Sequence, residues 1–100
     1  MNPVEVRLTK KNAQGYVIPI GPVNLVFVKT DTGMAGCGAF DVLALEKFGY
    51  PAAKVKATSG TTSITDIDDL LSGEIVVANG PAKKLGVLLG MSGREALELL

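Results

Sequence analysis

The chain reads as an α+β domain, an N-terminal antiparallel β meander followed by a mixed remainder whose helices pack on one face of the sheet. Three observations carry that reading. Val4, Val6 and Leu8 alternate with Glu5, Arg7 and Thr9, the period of a half-buried strand. Leu25-Val26-Phe27-Val28 is apolar without interruption, as in a strand covered on both sides. Three later segments, around 39–48, 64–72 and 92–100, repeat apolar residues at helical spacing.

With 100 residues the chain has the length of one domain, 1–100. We divide it into a β region, about 1–36, through which copies associate, and an α/β remainder, about 37–100. Hydrophobic residues make up 47% and charged residues 20%, the latter below the average of about 25%. No apolar run reaches the ~20 residues of a membrane span. The surplus apolar surface therefore points to contact between copies, a homo-oligomer.

Ten basic and ten acidic residues cancel, and two of the basic residues are Arg. Neither nucleic acid nor an anionic membrane is the expected partner. The absence of His excludes Ser-His-Asp and Cys-His catalysis and removes the commonest transition-metal ligand. One cysteine forms no internal disulfide and no metal cluster, so neither a metal nor a cofactor is expected. Met1-Asn2-Pro3-Val4-Glu5 leads straight into the strand pattern without a signal segment, and the expected compartment is the cytoplasm.

The meander continues through a polar loop, Lys10 to Gly15, into Tyr16-Val17-Ile18-Pro19-Ile20, where Pro19 belongs at an edge or a strand end. Gly21-Pro22 turns the chain into the apolar strand from Val23 to Thr30, and Met34 to Gly36 forms a short fourth strand. A helix from about Ala39 to Phe48 has a very broad apolar sector, which predicts a central position, and Gly49-Tyr50-Pro51 ends it. Lys54 to Ala57 is a weaker strand with its lysines outward. Thr58 to Ser63 is a hydroxyl-rich loop, and the next helix puts Ile64, Ile67, Leu70 and Leu71 on one face. Glu74 to Ala78 is β-branched and apolar enough to be a central strand. Asn79-Gly80-Pro81 starts a one-turn helix. Ser92 and Glu95 form a capping box for the last helix, which turns Ala96, Leu97 and Leu100 inward.

The segment Gly36-Cys37-Gly38 is the leading candidate for chemistry. A thiol at a helix start lies in a field that favours thiolate, and flanking glycines permit positive φ and close approach. The competing reading is a small buried thiol in a tight turn. Asp41, in the helix's first turn, either accepts backbone N–H bonds or pairs with a buried cation, for which Arg94 is the natural partner. Arg94 itself stands in the first turn of a helix, where a cation opposes the dipole, so it has an anion to hold. That anion is either Asp41 or a bound carboxylate or phosphate helped by N–H groups after Ser92-Gly93. Ser59-Gly60-Thr61-Thr62-Ser63 lacks the Lys and spacing of a phosphate loop. Asp66, Asp68 and Asp69 read as a solvated acidic face rather than a Mg²⁺ or Ca²⁺ site. The glycines at 33, 36 and 38 do not make a dinucleotide fingerprint, since their order is wrong and no βαβ unit surrounds them.

Three pieces carry a resemblance: Cys37-Gly38-Ala39-Phe40-Asp41-Val42, Thr65-Asp66-Ile67-Asp68-Asp69-Leu70-Leu71, and Leu85 to Leu97 with Gly90-Met91-Ser92-Gly93-Arg94-Glu95-Ala96-Leu97. In this order and spacing the chain resembles the YunC-like family of small bacterial and archaeal proteins, a domain of unknown function, over nearly its whole length. The resemblance implies an α+β fold and an N-terminal β region that assembles subunits as a tetramer. It implies no activity. Relatives often carry an Arg before the Thr-Ile-Asp of the middle helix, where this chain reads Ser63-Ile64-Thr65-Asp66.

The expected function is accordingly a cytoplasmic homo-oligomer, an assembly or small-molecule binding module. The alternative is a small thiol-dependent enzyme using Cys37 on an anionic substrate held by Arg94. Either way the candidate site is Gly36, Cys37, Gly38 and Asp41 meeting Ser92, Gly93 and Arg94.

Overall fold

In the structure, a computed structural model that describes residues 2–58 and 63–100, six strands form one sheet in sequential order. They are β1 (Val4–Arg7), β2 (Asn12–Pro19), β3 (Asn24–Lys29), β4 (Met34–Gly36), β5 (Ala52–Lys56) and β6 (Glu74–Ala78). Neighbouring strands are antiparallel except β4 and β5, which run parallel. The helices are α1 (Val42–Leu45), extended by a 3₁₀ turn over Glu46–Phe48, then α2 (Ile67–Ser72), α3 (Gly80–Lys84) and α4 (Gly93–Leu99).

The parallel pair needs a crossover, and α1 provides it. This corrects the expectation that no βαβ unit surrounds the glycine-rich segment. The glycines still lack the dinucleotide order.

Alternation along the strands separates two faces. Val26 and Val28 on β3, Ala35 on β4, and Ala53 and Val55 on β5 join the main core with Leu70 of α2 and Ala96, Leu97 and Leu100 of the C-terminal segment. The opposite side of the same strands carries Met34 and Ala52, which pack with Val42 of α1. Helices thus cover both faces, and the expectation of one covered face is corrected. The cause is the parallel crossover, which carries α1 to the face opposite α2 and α4.

On that second side, Tyr16 stacks on Phe27 at 4.8 Å between centroids, and Phe27 meets Phe40 edge-on at 5.3 Å. The β2–β3 part of the face, Tyr16, Ile18, Leu25 and Phe27, stays half-buried in the single chain.

The helix expected over 39–48 is shorter and more peripheral. Asp41 is its N-cap, accepting from the Ala44 N–H at 3.0 Å, and Gly49 ends it at φ 70°. Of α1, Val42 alone is buried, while Leu43 and Phe48 are 59% and 81% exposed. Phe40 lies before the cap, so its apolar signal belongs to the aromatic row and not to a helix face.

Strand β6 is at the sheet edge, not the centre. Its outer side is still occupied: Ile75 N donates to Met91 O at 2.8 Å and Gly90 N to Ile75 O at 2.9 Å. That pairing explains why so apolar a strand is tolerated at an edge. The capping box of α4 forms as expected, with Ser92 and Glu95 satisfying each other's backbone N–H. Gly93 is required there by packing, because a Cβ would stand 2.1 Å from the Leu70 carbonyl oxygen.

Asn79 is a fully buried polar side chain that links three elements. Its amide accepts from Ala52 N and Ala82 N and donates to Val42 O and Tyr50 O, at 2.8–3.1 Å. One fully satisfied carboxamide thereby joins α1, the start of β5 and the first turn of α3.

Candidate functional site

The carboxyl ends of β4 and β5, with the start of β3, surround a cavity of about 720 Å³. This is the position where open sheets with parallel strands take ligands, and the volume suits a small molecule. Cys37, Gly38 and Ala39 form one rim as the chain leaves β4; Lys54 and Lys56 project from β5; Ser63, Ile64 and Thr65 close the opposite side.

Cys37 is 7% exposed and belongs to the main core. Its N–H donates to Val26 O at 3.0 Å, extending the β3–β4 ladder, and its carbonyl accepts from Phe40 N at 3.2 Å in a turn. The α1 N-cap is Asp41, so the thiol sits before that turn and not at the helix start, contrary to expectation. Gly36 and Gly38 do not have positive φ. Gly36 is buried because a Cβ would approach the Phe40 ring at 2.6 Å, whereas Gly38 faces open space.

Arg94 does not join them. It is exposed, and its Nη1 donates to the Arg7 carbonyl at 3.1 Å. With Arg7, Glu5, Asp66 and Asp68 it lines a second cavity of about 470 Å³ between β1 and α2. The expected Asp41–Arg94 pair is therefore not formed: Asp41 caps α1 and Arg94 ties α4 to β1. Ser92 and Gly93 serve the cap and the α2–α4 contact. The reason Arg94 tolerates the helix dipole is a backbone carbonyl acceptor, with Glu98 adding charge from the next turn.

The cations at the first cavity are instead Lys54 and Lys56, both of which look outward in the sequence pattern. Alternate residues on a strand share a face, so both point to the same side. Lys54 stands opposite Gly36 and Val77, and Lys56 opposite Glu74. Among the described residues neither is within ion-pair distance of a carboxylate. Among the described residues, no acidic one lines this cavity.

Hydrogen bonds hold its far wall. Asn24 Nδ2 donates to Thr65 O at 3.0 Å, and Asp69 accepts from Thr65 N and Oγ1 at 3.1 and 2.8 Å. Those two bonds keep the Asp69 carboxyl below its usual range. Asp66 caps α2 through Asp69 N, so two of the three aspartates have local structural duties. The loop 59–62 falls outside the described residues, and the expectation for it with it.

A six-stranded mixed sheet with a parallel crossover, helices on both faces and a cavity at the parallel strands' carboxyl ends defines the class: a small α+β domain with a binding-sized hollow at its strand ends. Residues 36–100 match the model of the domain of unknown function DUF1805, and the chain belongs to that family. It is 32% identical over 80 residues to the uncharacterised protein YunC of Bacillus subtilis (strain 168), spanning 80% of this chain and 77% of the relative. The crystal structure of TA1206, a protein of unknown function from Thermoplasma acidophilum, has the same fold, with a TM-score of 0.83 at 26% identity. That likeness covers 97% of this chain and 89% of the other. The resemblance read from the three sequence motifs is thereby established.

Proposed function

We propose that this domain is a small-molecule binding module acting as a cytoplasmic homo-oligomer, and that its cavity beside Cys37 takes an anionic ligand. The observation that carries the reading is the charge of the lining: among the described residues, Lys54 and Lys56 against no carboxylate, around a hollow of about 720 Å³. A low-dielectric wall strengthens the field of such cations. Oligomerisation through the N-terminal strands, as a tetramer in the family resemblance, is supported by the half-buried row Tyr16, Ile18, Leu25 and Phe27. Leu25 also lines the cavity, so docked copies would bring the cavity to a subunit boundary.

The thiol-enzyme alternative depended on Arg94 standing beside Cys37, and it stands at the other cavity. Cys37 on this reading is a wall residue, 7% exposed.

Two measurements test the proposal. In NMR titrations at constant ionic strength, sodium phosphate and sodium acetate shift the amide signals around Lys54, Lys56 and Cys37 more than sodium chloride does. Equal response to all three salts would remove the anion site. Sedimentation of a Phe27→Glu variant yields a smaller species than the parent; an unchanged sedimentation coefficient rejects the strand-face interface.

A further inference from the structure

We infer that the ligand of the Cys37 cavity is an amphipathic carboxylate, an acid with an aliphatic or aromatic tail, and not a bare inorganic or polyphosphate anion. The inference rests on the anion-binding reading and adds the chemical class.

The wall has two chemistries. Pro22, Val23, Leu25, Ile64 and Val76 present an aliphatic surface, and Val23 is 54% exposed. Lys54 and Lys56 supply the charge from one side only. An ion the size of phosphate would fill a small part of about 720 Å³ and leave the aliphatic wall in water. A tail removes that surface from water while the head stays at the lysines.

The cations also limit the head group. Polyphosphate sites use clusters of backbone N–H groups at glycine-rich turns or the fork of Arg. Here Gly36 is packed under Phe40, so of the two glycines flanking Cys37 only Gly38 borders the cavity, and both arginines line the other cavity. Two point charges remain, and Lys56 faces Glu74 across the ladder, which offsets part of its field. Lys54, opposite Gly36 and Val77, faces no carboxylate on either neighbouring strand. A single negative charge anchored chiefly by Lys54 matches this arrangement.

Four probes separate the contributions: octanoate, acetate, octan-1-ol and inorganic phosphate, titrated by NMR against the whole chain and against Lys54→Gln and Lys56→Gln variants. Octanoate binds at least about tenfold tighter than acetate, since burying a couple of methylene groups suffices for that factor. Lys54→Gln brings octanoate down to the affinity of octan-1-ol, and Lys56→Gln has a smaller effect. Thermal melting of each variant reports that the fold is retained. If acetate or phosphate binds as tightly as octanoate, the tail is wrong while the anion reading stands. If octan-1-ol equals octanoate in the parent chain, the head-group claim falls and the anion reading with it. Absence of binding by all four overturns both.

Discussion

The two cavities differ in how their charges are arranged, and the difference separates structure from candidate function. Around the second cavity, Arg7 and Arg94 stand among Glu5, Asp66 and Asp68, and four of these five side chains have a partner. Arg7 lies 3.6 Å from Glu5, Arg94 holds a carbonyl of β1, and Asp66 caps α2. Charges satisfied in this way fasten elements together and leave little field for a guest. Around the first cavity the cations have no such partners among the described residues. A rare residue in an unfavourable position, Arg94, turned out to be a fastener, while two ordinary strand lysines supply the unanswered charge.

Substitutions at the two sites should therefore have opposite signatures. The largest expected effect is at the junction behind the second cavity. Gly93→Ala drives a methyl group against the Leu70 carbonyl, where backbone cannot easily give, and lowers stability by about 3 kcal/mol in chemical denaturation. A loss below about 1 kcal/mol would mean that the α2–α4 contact is looser than described.

Next comes Arg94→Gln, which removes one exposed hydrogen bond to β1 and costs about 0.5–1.5 kcal/mol. It leaves phosphate and acetate titrations at Lys54 unchanged; altered anion binding would join the two cavities into one site. Lys54→Gln is the mirror image. Stability changes by less than about 0.5 kcal/mol, as for a surface substitution, and the anion response at Cys37 is lost.

The smallest effect is in acid. Glu98 accepts from Thr9 N and Oγ1, which holds its carboxyl below the ordinary 4.5. A carboxyl depressed in the folded state stabilises the fold fully above its unfolded value. That contribution disappears as pH falls through the lower, folded value. Thr9→Ala shrinks the loss of stability measured from about pH 5 downward. A pH profile parallel to the parent's would show that the Thr9–Glu98 contact does not persist in solution.

How much of this was legible in the sequence follows the range of each interaction. The capping box at Ser92 and Glu95, the inward Val6 and Leu8 of the first alternating segment, and the inward face of α4 are local patterns and appear as read, whereas Val4, expected inward with them, is exposed. The helix at 39–48 failed at a local competition: Phe40 matches a helical face, but the Asp41 side chain caps α1 and leaves Phe40 to the sheet. The dipole argument found that Arg94 needs an acceptor, yet the acceptor comes from Arg7, 87 positions earlier, and no spacing encodes it. Lys54 and Lys56 read as solvent-facing; Lys56 is exposed and Lys54 half-buried, and the cavity beside them exists only once β3, β4 and the 63–65 segment converge. Unpaired charge is a property of neighbours in space, so it was the last thing the pattern could reveal.

The Asn79 carboxamide has a consequence for the protein's lifetime. Asn79-Gly80 is the dipeptide most prone to deamidation, because an unhindered glycine nitrogen attacks the preceding carboxamide carbon. In the fold that nitrogen donates to Glu46 Oε1 at 2.6 Å, and all four hydrogen-bonding positions of the carboxamide are taken. Conversion to Asp would replace a donating nitrogen by an oxygen facing two carbonyls, so a molecule aged at this position while unfolded would have difficulty refolding. Deamidation at Asn79 thus acts as a record of time spent open.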